Sequence, residues 1–251
     1  MDDIGLLVDL HVDAERQGPG GGDETRLAIN LSGLRGKSGL RIADIGCGTG
    51  ASALVLAREL DAAITAVDLF PAFLEKLEDT AKRKDLGGRI ATLAGSMDAL
   101  PFEEDSLDAI WSEGAIYNIG FENGIRTWRR FLKPGGILAV SELTWLTAER
   151  PEELERHWMQ EYPEVGTASA KIEVLERSGY SPLGYIVLPE RCWLDNYYRP
   201  MQRRFAAFLS RHGNSGAAAR IVASEESEIA LYERNAAFVS YGFYIAKRSG
   251  A

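Results

Sequence analysis

A glycine-rich turn is the pattern in this chain with the clearest chemical meaning. It reads Asp44-Ile45-Gly46-Cys47-Gly48-Thr49-Gly50 and stands between an apolar stretch and a segment with helical spacing. Glycines permit a sharp turn and a close approach of ligand to backbone, and the free N–H groups of the following helix attract a carboxylate or phosphate. Asp68 ends the next apolar stretch, where a carboxylate can accept hydrogen bonds from two ribose hydroxyls. The pattern predicts a site for an adenosine-containing cofactor.

Two classes of cofactor fit this turn. The run Gly46–Ala51 matches the G-x-G-x-x-A pattern of nicotinamide dinucleotide sites. S-adenosyl-L-methionine fits as well, and Asp44 favours it, because a carboxylate at that place can face an ammonium and would repel a pyrophosphate. A strand–turn–helix joint with incidental glycines is the third interpretation. From the turn alone, the choice between the two cofactors stays open.

Short apolar stretches alternate with helical patterns through the first part of the chain, which predicts a parallel α/β sheet. We expect strands near Leu40–Asp44, Ile64–Asp68, Ile90–Ala94, Leu107–Ser112 and Ile137–Glu142. We expect the connecting helices near Ala51–Leu60, Ala72–Lys84 and Gly124–Leu132.

After Glu142 the pattern becomes mainly helical. Helices are expected at Pro151–Met159, Lys171–Ser178, Arg199–His212 and Ala217–Asn235, with strands at Tyr185–Leu188 and Phe238–Lys247. We interpret the long helical insertion as a cover over the site, within a single domain of residues 1–251. Its parts are an N-terminal lid segment (1–35), a cofactor-binding core (36–145), a helical cover with the sixth strand (146–236) and the final strand (237–251).

The N-terminal segment contains a glycine-rich stretch, Gly18-Pro19-Gly20-Gly21-Gly22, after the amphipathic run Ile4–Val12. A hinge of this kind lets a short helix close over a site and exclude water. We therefore expect Arg16 and Gln17 to belong to a lid over the cofactor. The alternative is a disordered N-terminal arm.

Further motifs favour one of the two cofactor classes. The chain resembles the class I S-adenosylmethionine-dependent methyltransferases of the ubiquinone/menaquinone type over about residues 40–142. The matching residues are the glycine turn, Gly95-Ser96-Met97-Asp98-Ala99-Leu100-Pro101-Phe102 and Leu132-Lys133-Pro134-Gly135-Gly136. It also resembles uncharacterised bacterial members through Arg16-Gln17-Gly18-Pro19-Gly20, Trp111–Gly120 and Cys192-Trp193.

The resemblance implies a doubly wound α/β fold with seven strands in the order 3-2-1-4-5-7-6, the last strand antiparallel, and a helical lid. S-adenosyl-L-methionine would lie across the carboxyl ends of strands 1 and 2. The cofactor-binding residues expected are Arg16, Gln17, Asp44, Gly46, Cys47, Gly48, Gly50, Asp68, Leu69, Ser96, Met97, Asp98, Ser112 and Glu113.

Some of these residues have a second interpretation. Ser96 stands where the family often has Asp, although its hydroxyl can still bond the adenine edge. Met97 offers a thioether to the adenine ring or packs in the core, and Asp98 binds cofactor or is a solvated loop charge. We interpret Lys133–Gly136 as a turn into the fifth strand.

The acceptor side needs little acid–base machinery, because methyl transfer from a sulfonium mainly requires positioning and exclusion of water. Glu113 and Tyr117 are the catalytic candidates. Glu113 could hold a substrate amine, act as base or bond the cofactor. The candidate substrate-binding residues are Asn118, Trp145, His157, Trp193 and Tyr197.

Two further features of the acceptor side each have two interpretations. The aromatic residues of the insertion either form a box whose faces attract cations or pack as core and lid. The arginines of the cover either attract an anionic acceptor or form a solvated helical face; they are Arg199, Arg203, Arg204, Arg211 and Arg220.

Composition narrows the function further. The net charge of −9 disfavours a nucleic-acid partner, and the two cysteines, Cys47 and Cys192, show no metal-ligand spacing. The chain has no apolar run long enough to span a membrane, and Asp2 and Asp3 open it without a basic signal region, so we expect a cytoplasmic protein. We predict a methyltransferase for a small molecule. The alternatives are an NAD(P)-dependent oxidoreductase and a cofactor-binding protein without methyltransferase activity.

Overall fold

One twisted, mostly parallel β-sheet organises the protein. The computed structural model describes residues 2–250, so Met1 and Ala251, which end the predicted domain range, lie outside the described residues. The strands are β1 (Leu40–Ile45), β2 (Ala62–Asp68), β3 (Ile90–Ala94), β4 (Leu107–Glu113), β5 (Leu132–Trp145), β6 (Gly166–Thr167), β7 (Tyr180–Val187) and β8 (Val239–Arg248).

The main sheet has the order β3-β2-β1-β4-β5-β8-β7, and β8 runs antiparallel to both neighbours. This confirms the predicted fold class and strand order. The two-residue β6 pairs with β5 beside that path and was not predicted, because so short a strand leaves no alternating pattern. The predicted sixth and seventh strands are therefore β7 and β8. The strand β1 pairs with β2 on one side and with β4 on the other. Successive strands are therefore added in one direction up to β3 and in the opposite direction from β4, so the strand order reverses at β1.

Ten α-helices surround the sheet in the described residues. They are α1 (Asp3–His11), α2 (Gly22–Ser32), α3 (Ala51–Glu59), α4 (Pro71–Arg83), α5 (Phe121–Trp128), α6 (Glu152–Glu161), α7 (Ala168–Arg177), α8 (Glu190–Trp193), α9 (Arg199–Arg211) and α10 (Gly216–Asn235). Short 3₁₀ segments lie at Ile116–Ile119 and Arg129–Phe131. No helix within residues 2–250 is both long and apolar enough to cross a bilayer.

Two apolar layers bury the faces of the sheet. On one face α2, α3 and α4 pack against the strands, with Leu56 and Trp111 fully buried between them. On the other face α5 and α7 cover the strands through Ile125 and Leu175. These two layers do not cover the carboxyl ends of the strands. The remaining helices lie over that edge of the sheet.

A third apolar cluster forms the helical cover. It joins α1, α6, α9 and α10 around Trp193 and Phe208. Between α8 and α9 the chain forms a π-helical segment, Leu194–Tyr198, and Pro200 follows in the first turn of α9. Pro200 has no N–H group and cannot donate the hydrogen bond that a regular α-helix would require at this position. The widened π-helical turn before it accommodates the missing donor.

The helix α2 differs from the sequence prediction. Residues 22–32 were expected within the N-terminal lid segment, but α2 packs on the sheet, and Ala28 and Ile29 are fully buried there. Its N-cap is Gly21, which makes no side-chain capping bond. The helix therefore begins inside the glycine run, where the sequence suggests only a hinge.

Candidate functional site

A cavity of about 490 Å³ lies at the carboxyl ends of the first four strands. Five segments form its wall: the N-terminal loop, the glycine turn, the end of β2, the loop after β3 and the loop after β4. Its position matches the edge at which open α/β sheets bind ligands, beside the strand where the chain order reverses.

The glycine turn forms the floor of this cavity. Gly46 and Gly48 have φ angles of +70° and +54°, which side chains with a Cβ rarely adopt. A Cβ on Gly46 would also lie 2.3 Å from the Cβ of Ala115, and one on Gly48 would lie 2.0 Å from Oε1 of Gln17. Both glycines are therefore required by backbone conformation and by close neighbours.

Asp68 holds the edge of the turn. Its Oδ2 accepts the N–H of Gly48 at 2.8 Å, and its Oδ1 accepts the N–H of Phe70 at 3.0 Å. Burial raises the pKa of Asp68, and these hydrogen bonds oppose that rise. A carboxylate oxygen can accept more than one hydrogen bond. Asp68 therefore keeps acceptor capacity toward the cavity that it lines.

Asp44 lies one layer below the wall. It is fully buried, its Oδ2 accepts the hydroxyl of Ser52 at 2.6 Å, and its Oδ1 has no hydrogen-bond partner among the described residues. Burial raises the pKa of this carboxyl to about 7. Ser52 itself lines the cavity. Asp44 therefore adjoins the cavity through Ser52, which the sequence analysis did not identify.

Glu113, at the end of β4, is held by three side chains. Its Oε2 pairs with Nη1 of Arg16 at 2.8 Å, with both side chains less than 10% exposed. Its Oε1 accepts the hydroxyl of Thr25 at 2.7 Å and Nε1–H of Trp111 at 2.9 Å. A carboxylate held in this way fixes Arg16 in the cavity wall.

The N-terminal loop closes over the glycine turn. The N–H of Thr49 donates to Oε1 of Gln17 at 2.8 Å, and the Thr49 hydroxyl donates to the carbonyl of Ala14 at 2.9 Å. Asn196 of the π-helical segment donates to the carbonyl of Gly20 at 2.7 Å. The predicted lid segment is therefore packed onto both the turn and the cover.

The helix before this loop is attached to the cover as well. Asp9 pairs with Arg211 at 2.7 Å and with His212 at 2.9 Å, and the ring of His11 stacks on Tyr197 with centroids 6.1 Å apart. Burial lowers the pKa of His11 to about 4, so its ring is neutral at pH 7.

The cavity wall gathers most of the predicted cofactor-binding residues, both catalytic candidates and one predicted substrate-binding residue, Asn118. These are Arg16, Gln17, Gly46, Cys47, Gly48, Asp68, Leu69, Ser96, Met97, Asp98, Glu113, Tyr117 and Asn118. The wall does not contain Asp44, Gly50, Ser112, Trp145, His157, Trp193 or Tyr197.

Packing explains the positions of the aromatic candidates outside the wall. The ring of Trp193 stacks on Tyr232 at 4.4 Å, and the guanidinium of Arg150 lies 4.4 Å over Trp145. Both indoles are nearly inaccessible to solvent. In this structure their contacts are with the cover and not with the cavity that we expected them to face.

Several wall residues were missed. Phe70 and Phe73 line the cavity after Asp68, and their rings meet edge to face at 5.6 Å. These two aromatic residues follow the acidic end of β2 closely, a local signal that the sequence analysis did not use. Thr25 had no local signal, because its contact with Glu113 joins positions far apart in the chain.

The protein is similar to known methyltransferases. Residues 42–136 match the family model described as a methyltransferase domain. The 27-O-demethylrifamycin SV methyltransferase of Amycolatopsis mediterranei is 30% identical over 133 residues, covering 52% of this chain and 48% of that protein. The family-model match lies within the predicted cofactor-binding core, residues 36–145. This chain spans about half the length of the curated relative.

Solved structures of other proteins share the fold. An S-adenosylmethionine-dependent methyltransferase of Geobacter sulfurreducens, solved with S-adenosyl-L-homocysteine, superposes with a TM-score of 0.84 at 18% identity and covers 96% of this chain and 97% of that one. The [4+2]-cyclase SpnF superposes with a TM-score of 0.75 at 21% identity and covers 99% and 93%. At these identities the two structures show the fold alone.

Proposed function

We propose that the protein is an S-adenosyl-L-methionine-dependent methyltransferase that acts on a small molecule. The observation that carries the proposal is the pair of carboxylates at the glycine turn. Asp68 has acceptor capacity for ribose hydroxyls, and the unpartnered Oδ1 of Asp44 is suited to a cation. A buried carboxylate oxygen without a partner is costly, and an ammonium group nearby would compensate for it.

The other groups of the cavity also fit this cofactor. Met97 and Phe70 offer a thioether and a ring to an adenine, beside the hydroxyl of Ser96. When bound, the cofactor would supply an electrophilic methyl group, which leaves with its carbon–sulfur bond broken and the electron pair on sulfur. The chain's own residues provide orientation and a site shielded from water.

Glu113 acts in this proposal as a positioning residue. Its contacts with Thr25 and Trp111 fix the carboxylate, and the carboxylate in turn fixes Arg16 beside the cavity. Tyr117 and Asn118 occupy the wall next to it and would orient the acceptor. The N-terminal loop, attached through Gln17, would exclude water from the reacting atoms.

The nicotinamide alternative is less compatible with the same groups, because the Asp44 carboxylate under the turn would repel a pyrophosphate. The likeness to a cyclase favours the second alternative, a cofactor-binding protein without methyl transfer. The absence of a nucleic-acid partner stays a prediction that rests on the net charge, and the cytoplasmic location also stays a prediction.

Calorimetry with S-adenosyl-L-homocysteine and with NAD⁺ tests the proposal. We expect one S-adenosyl-L-homocysteine per chain and no heat of binding with NAD⁺. Binding of NAD⁺ alone would establish the oxidoreductase alternative. Binding of S-adenosyl-L-homocysteine without methyl transfer to any metabolite would establish the second alternative.

A further inference from the structure

A short segment after β4 forms the side of the cavity where the acceptor would bind. We call it the acceptor wall: Tyr117, Asn118 and Ile119, all of which line the cavity. Tyr117 is 44% exposed, so part of its side chain is free to meet a ligand. Gly114 and Gly120 flank the segment with φ angles of +65° and +83°. Because glycine permits many backbone conformations, the position of the acceptor wall depends on contacts from outside it.

The helical cover provides such contacts. The ring of Tyr162, which directly follows α6, meets the ring of Tyr117 edge to face with centroids 6.1 Å apart. Just beyond the acceptor wall, Oε2 of Glu164 accepts the N–H of Phe121 at 2.9 Å. A Cβ on Gly120 would lie 2.5 Å from Oε1 of the same carboxylate. The loop that carries Tyr162 and Glu164 therefore holds the segment both at the Tyr117 ring and at its carboxyl-terminal end.

Lys171 of α7 contacts Tyr162 in turn. Lys171 is 4% exposed, and its Nζ donates to the hydroxyl of Tyr162 at 3.4 Å. The same Nζ lies 5.1 Å from the centroid of the Tyr162 ring and 4.5 Å from that of Phe121. Burial lowers the pKa of Lys171, and the charges of Glu142 and Glu164 oppose that shift. Burying an ammonium costs free energy, which the hydroxyl and the two ring faces partly offset.

These contacts form a continuous path from α7 to the cavity. Lys171 and Tyr162 do not line the cavity themselves, whereas Tyr117 does. A misplacement of reacting groups by about 1 Å can slow a reaction about 100-fold. We propose that Lys171 and Tyr162 are positioning residues for methyl transfer, which hold Tyr117 in the orientation that meets the acceptor. The inference rests on the proposed methyltransferase function and adds two residues to its acceptor side.

A labelled-extract assay on the full chain tests this inference. Methyl-labelled S-adenosyl-L-methionine is saturating, a small-molecule metabolite extract is added in a dilution series, and the strongest labelled product is quantified by mass. The series gives a half-saturating extract concentration and a maximal rate. We expect Lys171→Met and Tyr162→Phe each to raise the half-saturating concentration about ten-fold or more. Calorimetry should give an unchanged affinity for S-adenosyl-L-homocysteine, because neither residue lines the cavity.

The double variant shows whether the two residues act as one unit. If Lys171 acts through the Tyr162 hydroxyl, Lys171→Met/Tyr162→Phe should raise the half-saturating concentration no further than the larger single effect. Tyr180→Phe is the matched control, because Tyr180 is buried outside the cavity wall and its hydroxyl donates to the carbonyl of Ile125 at 2.9 Å. The control should lower the thermal midpoint and leave the half-saturating concentration unchanged, as any purely structural loss would.

The inference would be overturned by an unchanged half-saturating concentration in Tyr162→Phe, by effects that multiply in the double variant, or by an equal rise in Tyr180→Phe. Tyr162→Phe retains the ring that contacts Tyr117, so this variant decides the question if Lys171→Met does not fold. A wild-type protein that yields no labelled product would instead refute the proposed function.

Discussion

The buried ion pair between Arg16 and Glu113 should hold the N-terminal loop over the cavity. The variant Glu113→Gln removes the charge but keeps an oxygen that can accept from Trp111 and Thr25. Since both charged side chains are less than 10% exposed, removing one partner leaves an uncompensated charge, at a cost of about 3–5 kcal/mol. The loop can reduce this cost by opening and hydrating Arg16.

A double-mutant cycle measures the coupling within this pair. It comprises Glu113→Gln, Arg16→Met and the combined variant, each unfolded in urea, and we expect a coupling energy above about 1.5 kcal/mol. The control cycle uses the exposed pair Arg156–Glu152, for which about 0.3–0.5 kcal/mol is expected. Hydrogen exchange across residues 12–21 should also accelerate in Glu113→Gln. A coupling as small as the control, with unchanged exchange, would refute the reasoning.

Three other perturbations follow from the geometry of the glycine turn. Asp68→Ala should weaken S-adenosyl-L-homocysteine binding by about 1–3 kcal/mol in calorimetry, while the exposed Asp61→Ala should not. Gly48→Val should lower the thermal midpoint as well as cofactor affinity, because its side chain would collide with Gln17; an unchanged midpoint would contradict this. Burial raises the folded-state pKa of Asp44 to about 7 from 3.8, so its contribution to stability is complete below about pH 4 and is lost as the pH rises to 7. In Asp44→Asn that part of the pH dependence of unfolding should disappear, and a wild-type slope would count against the assignment.

The core of the fold was predictable because its signals are local. The strands β1 to β5 are apolar runs, and the glycine turn is a contiguous motif, so both followed from neighbouring residues. The helix α2 was missed because its first residue, Gly22, and its N-cap, Gly21, are glycines, which suggest flexibility when they are considered alone. Burial of its apolar side in the sheet compensates for that local preference.

The contacts that build the site were harder to predict. Gln17 reaches Thr49, and Asn196 reaches Gly20, across long sequence separations that no periodicity reveals. The aromatic candidates show the same difficulty, since composition identified Trp193 but could not distinguish core packing from ligand contact. Its stacking on Tyr232 became apparent only when α8 and α10 were placed together.

The most direct test of the proposed function is transfer of a labelled methyl group. The protein is incubated with methyl-labelled S-adenosyl-L-methionine and a small-molecule metabolite extract, and the products are resolved by mass. We predict label in a small molecule, an equal amount of S-adenosyl-L-homocysteine, and a much slower reaction in Asp68→Ala. Tight binding of S-adenosyl-L-homocysteine with no labelled product in any metabolite fraction would contradict the account.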